Sequence, residues 1–190
     1  HFNREENLIL DTIEGNNNKL FIYFSTCSIY DSSKTNSPYV LHKLRMEEII
    51  KNSTKNHLIL RVSNAVGKGG NPNLLMNYLD RTVDNGETIN VHTKATRNLI
   101  DAEDVRNLTL ELIEQKKFNK IVNIAYLQNY SIIEILEIME TQLQRKLKLN
   151  LIKSGSGYEI NIPAADASSR APGLPLTDSS LCNISHKHSQ

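Results

Sequence analysis

No apolar run in the sequence approaches the roughly 20 residues needed to span a bilayer, which excludes a membrane helix. The opening stretch, HFNREENLIL, has no secretory n-region and h-region and no initiator methionine, so the expectation is a fragment or a processed product. Charge of one sign is also missing. The formal net charge is +1 and the 22 basic residues are spread along the chain, which gives nucleic acid or an anionic membrane nothing to attract. Cysteine is scarce: Cys27 and Cys182 lie far apart and make no disulfide framework. Cys27 follows an apolar run and reads as a buried free thiol, and a reducing, cytoplasmic setting is the default. The Asn-x-Ser/Thr triplets at Asn52, Asn107, Asn129 and Asn183 carry no weight without a signal peptide. One absence has the most consequence. No G-x-G-x-x-G turn follows any strand-like run, and GKGG (67–70) leads into a Pro-Asn loop that also fails the P-loop pattern. The chain therefore carries no recognisable phosphate-cradling first turn.

What is present is an ordinary globular composition in 190 residues, 39% hydrophobic and 23% charged, enough for one core or part of a larger one. Strand-like and helix-like segments alternate, the pattern of an α/β layer architecture. LILDTIEGNNN reads as a helix tail ending in a Gly/Asn turn. KLFIYFST (19–26) and HLILRVSNAVG (57–67) read as buried parallel strands. Between them, SPYVLHKLRMEEIIKNS predicts a helix with Ser37 as N-cap and Pro38 at its first position. PNLLMNYLDRTVDNG predicts a helix stopped by Asn85-Gly86, and TINVHT alternates like a strand. DAEDVRNLTLELIEQ predicts a helix capped by Asp101, KIVNIAY and KLNLIKS predict strands, and SIIEILEIMETQLQRKL predicts a helix with Ser131 and Glu134 at capping-box spacing. From Gly155 the composition turns to Ser, Pro, Ala and Gly, so residues 1–153 are expected to form the domain and 154–190 an irregular tail.

The residues able to carry chemistry cluster in STCSIYDSSKTNSPYVLHK (25–43). Tyr39 and Lys43 stand four residues apart, on one helix face. An ammonium beside a phenol favours the phenolate and so makes tyrosine usable as an acid or base near neutral pH. Ser25, Thr26 and Ser28 sit at a strand end, where open α/β sheets place ligands. On spacing alone, a chance Tyr-x-x-x-Lys in an ordinary helix remains the simpler reading. His57 and His92 stand singly in strands and read as structural, SHKH (185–188) as a solvated tail, and Lys68 as part of a flexible glycine loop. Glu103 and Asp104 read as helix N-terminal charges, and no metal site is expected.

The order of elements adds weight. A strand ending in a hydroxyl cluster before Ile29-Tyr30, a helix with Tyr39-x-x-x-Lys43, then RVSNAVG (61–67) with Arg61, Asn64 and Gly67 in place, resembles the extended short-chain dehydrogenase/reductase (NAD-dependent epimerase/dehydratase) family. TRNLIDAEDV (96–105) resembles that family's Arg-x6-Asp-Val segment, and the resemblance covers about residues 1 to 150. It implies an α/β fold: the C-terminal half of a Rossmann-like doubly wound parallel sheet, with a small substrate-binding portion. It also implies NAD or NADP as cofactor and a nucleotide-sugar as substrate, and it admits a homodimer. By position, Thr26 would orient the substrate, Tyr39 would be the acid/base, and Lys43 would lower the Tyr39 pKa and hold the nicotinamide ribose. Ser25, Val62 and Asn64 would lie along the cofactor, and Asn64 and Arg97 against the substrate, with Arg97 on its diphosphate. Cys27 and Ser28 stand where dehydratases of the family carry Asp and Glu, so the implied reaction is epimerisation or reduction rather than dehydration. A non-catalytic dinucleotide-binding relative, or an incomplete piece inactive by itself, are the alternatives. With the glycine-rich turn missing, the chain as given is expected to bind NAD(P) weakly or not at all.

Overall fold

The structure is a computed structural model, and it describes residues 2–16, 18–67 and 74–162. The chain divides into two compact units, and each is described by itself. The first comprises His1–Ser63 and Arg106–Ala125, joined by the segment from Ile160; the second comprises Asn64–Val105 and Tyr126–Glu159.

In the first unit, β1 (Phe21–Thr26), β2 (His57–Val62) and β7 (Lys120–Ile124) form a parallel sheet in the order β1-β2-β7. Phe21 is level with His57 and Thr26 with Val62, so the carboxyl ends of β1 and β2 finish together. Side chains alternate across a strand. Tyr23 and Ser25 therefore share one face, and both are buried, while Phe24 points the other way and is exposed. Helices α1 (Phe2–Glu14) and α2 (Pro38–Ser53) supply the partners of that buried face. Ile9 and Ile13 of α1 and Met46 and Ile50 of α2 pack with Tyr23 and Ile59 in one apolar cluster. Two 3-10 turns, Cys27–Tyr30 and Ser32–Lys34, carry the chain from β1 to α2.

A buried polar network runs beside that cluster. Glu47 of α2 is almost fully enclosed, and Arg61 of β2 grips it through Nε (3.0 Å) and Nη2 (2.6 Å). Ser25 Oγ donates to the same carboxylate at 2.5 Å. Arg61 Nη1 donates to Tyr30 Oη, which donates to Asn123 of β7. Burial alone would lower the Arg61 pKa, but the bonds to Glu47 and Tyr30 outweigh it and raise the value. One ion pair thus fixes α2 to β1 and β2 together.

Among the described residues, the second unit has three two-stranded sheets. β3 (Asn64–Val66) pairs in parallel with β6 (Leu99–Asp101), and β4 (Ile89–His92) in parallel with β9 (Leu149–Ile152). β5 (Thr96–Arg97) pairs antiparallel with β8 (Tyr130–Ser131). Helices α3 (Leu75–Asp84) and α5 (Ile132–Leu143) close its core with Leu79, Val83, Ile135 and Leu136. Helix α4 (Ala102–Glu114) begins in this unit and ends in the first.

Most expected elements and stops are present. α3 ends before Asn85 and Gly86, and Gly86 takes φ 66°, the left-handed turn that favours glycine. The α5 capping box forms, with Glu134 N donating to Ser131 Oγ (3.1 Å) and Ser131 N to the Glu134 carboxylate (2.7 Å). Asp101 caps α4 by accepting from Glu103 N at 2.7 Å. Two details differ. Ser37 occupies the N-cap position of α2, yet its side chain makes no capping bond, so Pro38 at the first helical position does the initiating. HLILRVSNAVG is two strands rather than one. Ser63 N still bonds to Ile124 O beside β7, whereas Asn64 N bonds to Asn98 O, so the chain changes sheets at that peptide. Residues 155–162 form no helix or strand, and the remainder of the expected tail, with Cys182 and SHKH, lies outside the described residues.

Two stability predictions follow from these charges. Glu47→Ala leaves the Arg61 guanidinium without its partner and is expected to cost about 3 kcal/mol in denaturant unfolding; a loss below ~1 kcal/mol contradicts the anchoring role. Asp80 on α3 is held up at about 6, by burial first and by the Asp84 charge second. A carboxyl raised in the fold costs nothing below its ordinary value of 3.8; the penalty grows as pH rises from there, because the unfolded chain ionises first, and is complete above about pH 6. Asp80→Asn should therefore raise Tm by about 2–4 °C above about pH 6 and leave it unchanged below about pH 4. An equal shift at both pH values contradicts the titration.

Candidate active site

The candidate site lies at the carboxyl end of β1 and the first turn of α2, within the first unit. Thr26 ends β1, and its Oγ1 accepts from Ser28 N at 3.0 Å, capping the 3-10 turn that follows. The turn tucks Cys27 wholly inside, its thiol donating to Arg61 O at 2.9 Å. Burial pushes that thiol up to about 12, so Cys27 is an inert free cysteine. Val62 is the register partner of Thr26. Just past β2, the Ser63 hydroxyl is buried with no hydrogen-bond partner among the described residues.

Tyr39 opens α2 and is half exposed, at 49%. Lys43, one helical turn further, turns inward, and its Nζ meets three acceptors: Tyr23 Oη at 2.9 Å, Glu5 Oε1 at 3.1 Å and Phe24 O at 3.5 Å. The ammonium also stands 4.6 Å from the centroid of the Tyr23 ring. Glu5, from α1, is the hub of this cluster. Its other oxygen meets His42 Nε2 at 2.7 Å, and Tyr23 Oη donates to the oxygen that Lys43 holds, at 2.9 Å. Partial burial pushes the Glu5 carboxyl up, but hydrogen bonds from His42, Tyr23 and Lys43 prevail and hold it at about 2. Tyr23 moves the opposite way, raised by burial first and by the Glu5 carboxylate second, and stays a neutral phenol.

The remaining expected residues have these places. Ser25 faces α2, where its hydroxyl is committed to Glu47 in the core. Asn64 and Arg97 belong to the second unit. Asn64 Nδ2 donates to Asn98 O at 2.8 Å, and the Asn98 amide in turn donates to Tyr126 O at 2.7 Å and Asn129 Oδ1 at 3.0 Å. Arg97 Nη1 donates to Thr96 O at 2.7 Å and to Ser156 O at 3.2 Å. Close approach of that segment needs glycine, since a Cβ at Gly157 would stand 1.9 Å from Thr96 Oγ1. His57 and His92 do bond structurally, His57 Nδ1 to Thr54 O and His92 Nδ1 to Ser154 Oγ. Among the described residues no group of three His, Cys, Asp or Glu side chains is placed to hold a metal, and no helix is long and apolar enough to cross a membrane. Lys68 and SHKH lie outside the described residues.

Sequence reasoning missed Glu5 and Glu47. Glu47 has a visible signal, since it follows Lys43 by four residues on the same helix face. Glu5 has none, because only the packing of α1 on β1 brings it to Lys43.

The family model of the NAD dependent epimerase/dehydratase family matches residues 6–125. Among curated proteins none matches. Among solved structures, the chain is similar to the UDP-glucuronic acid 4-epimerase of Bacillus cereus, solved with UDP-glucuronic acid and NAD, at 22% identity and a TM-score of 0.76. That match covers 93% of this chain and 65% of the epimerase. It is also similar to the dTDP-glucose 4,6-dehydratase of Bacillus anthracis, solved with NAD, at 16% identity and a TM-score of 0.76, covering 92% of this chain and 63% of that one. RMD of Pseudomonas aeruginosa, complexed with NADPH, is 17% identical with a TM-score of 0.73, covering 92% and 68%. This chain thus spans slightly less than two thirds of the epimerase, and the likeness shows a shared Rossmann-type α/β fold. With the family model covering the whole of β1, α2 and β2, the chain belongs to the NAD-dependent epimerase/dehydratase family.

Proposed function

We propose that this chain is the catalytic portion of an NAD(P)-dependent epimerase or reductase acting on a nucleotide-activated sugar, with residues 1–153 as its family domain. The observation that carries this reading is the inward-held Lys43 ammonium one helical turn from the half-exposed Tyr39, on the helix that follows the Thr26 end of β1. NAD or NADP, when bound, would supply hydride exchange at its nicotinamide.

The residues present suit the nicotinamide end of such a cofactor. Open α/β sheets bind ligands outside the carboxyl ends of their strands, which here are Thr26 and Val62, with the unpartnered Ser63 hydroxyl next in line. In the first unit, Tyr39, Lys43 and Val62 would hold that end; in the second, Asn64 and Arg97 are the residues proposed to contact ligand. Ser25 would support it through Glu47 from behind the strand. Thr26 Oγ1 already accepts from Ser28 N, so its O–H is left to donate to a sugar oxygen and fix its position. Tyr39 then takes up or returns the proton of that oxygen. Cys27, enclosed and protonated, offers no acid for dehydration.

Two measurements test this reading. In any form of the protein that turns over a nucleotide-sugar, Tyr39→Phe is expected to lower kcat by about 10²-fold or more while cofactor affinity changes little. Turnover at the native rate would remove Tyr39 from the chemistry. The sequence of 190 residues contains no G-x-G-x-x-G motif, so fluorescence titration should find only weak, unsaturated binding of NADH and NADPH. Tight, saturable binding contradicts the claim that the phosphate cradle is missing.

A further inference from the structure

The ammonium of a lysine has three hydrogens to donate. At Lys43 all three have acceptors, but the bonds are unequal: Tyr23 Oη and Glu5 Oε1 lie at 2.9 and 3.1 Å, whereas Phe24 O is at the 3.5 Å limit. The two short bonds come from a clamp that is itself braced. Tyr23 Oη donates to Glu5 at 2.9 Å, and His42 holds the far Glu5 oxygen at 2.7 Å. Two elements, α1 and β1, thus grip the side chain that α2 supplies, and Lys43 is largely buried, at 16% side-chain exposure.

From this geometry we infer that Glu5 is a positioning residue for the Tyr39/Lys43 pair: it pins the ammonium, partly neutralises it, and leaves one exchangeable hydrogen for a ligand. The inference rests on the reading of Tyr39 and Lys43 as the proton-transfer pair. The groups that share this field are Glu5 on α1, Tyr23 on β1, and Tyr39, His42, Lys43 and Glu47 on α2. Within that set Glu5 is the anion in direct contact with Lys43, so its removal increases the positive potential at Tyr39. The hydrogen now on Phe24 O is the one a ligand oxygen can take without breaking the clamp.

Both parts are measurable. In the unaltered chain, the Lys43 Nζ protons should exchange with water at least about tenfold more slowly than those of Lys146 by heteronuclear NMR. Lys146 is a suitable control because it also pairs with a glutamate, at 2.7 Å, but is 91% exposed. Equal exchange rates overturn the clamp, and this measurement needs no variant to fold. In a form that turns over substrate, Glu5→Gln should lower kcat by about tenfold while KM changes little, because the ammonium is no longer pinned one turn from Tyr39. An unchanged kcat, or a loss confined to KM, overturns the positioning role. Failure of the underlying reading is distinguishable: Tyr39→Phe then retains turnover, while the slow exchange at Lys43 persists.

Discussion

The candidate site depends on where one ammonium group is held. Lys43 leaves α2 toward the sheet, and its position is set by Tyr23 from β1 and Glu5 from α1. A lysine side chain is long and flexible, and a fixed charge requires that its rotamer freedom be removed by contacts on several sides. Here three elements meet at Nζ, and the charge that results is local and directed. The same packing buries Tyr23, whose ring lies beneath the ammonium and whose hydroxyl links it to Glu5. Removing any one of the three partners would leave the others with an unmatched donor or acceptor in a partly buried place.

A second polar anchor, one turn along α2, makes the first possible. Glu47 joins Ser25 and Arg61, and so ties the helix to both β1 and β2. Lys43 and Glu47 are four residues apart and therefore point the same way, with Lys43 toward Tyr23 and Glu47 toward Ser25. Tyr23 and Ser25 are two residues apart on the strand, on the face that α2 covers. Helical and strand periodicities thus match across the contact. Register along β1 fixes Thr26 next to this pair of anchors, at the mouth of the sheet.

Much of this could be read from the residues in order. The apolar run of β1, the Tyr39/Lys43 spacing, the Ser131/Glu134 box and the Asn85-Gly86 stop are local signals, and each stands where it was expected. What could not be read depends on distant segments. RVSNAVG is continuous in apolar pattern, yet Ser63 pairs beside β7 and Asn64 beside Asn98, partners 61 and 34 positions away by number. The two-residue strands β5 and β8 are too short for periodicity to reveal. Glu5 looks like any acidic residue in the first turns of a helix, and only tertiary packing shows its three partners. Ser25, read as a cofactor contact, points into the core because its strand face is the one that α2 covers.

The central claim is that the Lys43 charge enables Tyr39 to move a proton. The most direct test is the pH profile of turnover for Lys43→Met beside the native protein, in a form competent to convert a nucleotide-sugar. The account predicts a kcat lower by about 10²-fold near neutrality. A native profile in the methionine variant would contradict it.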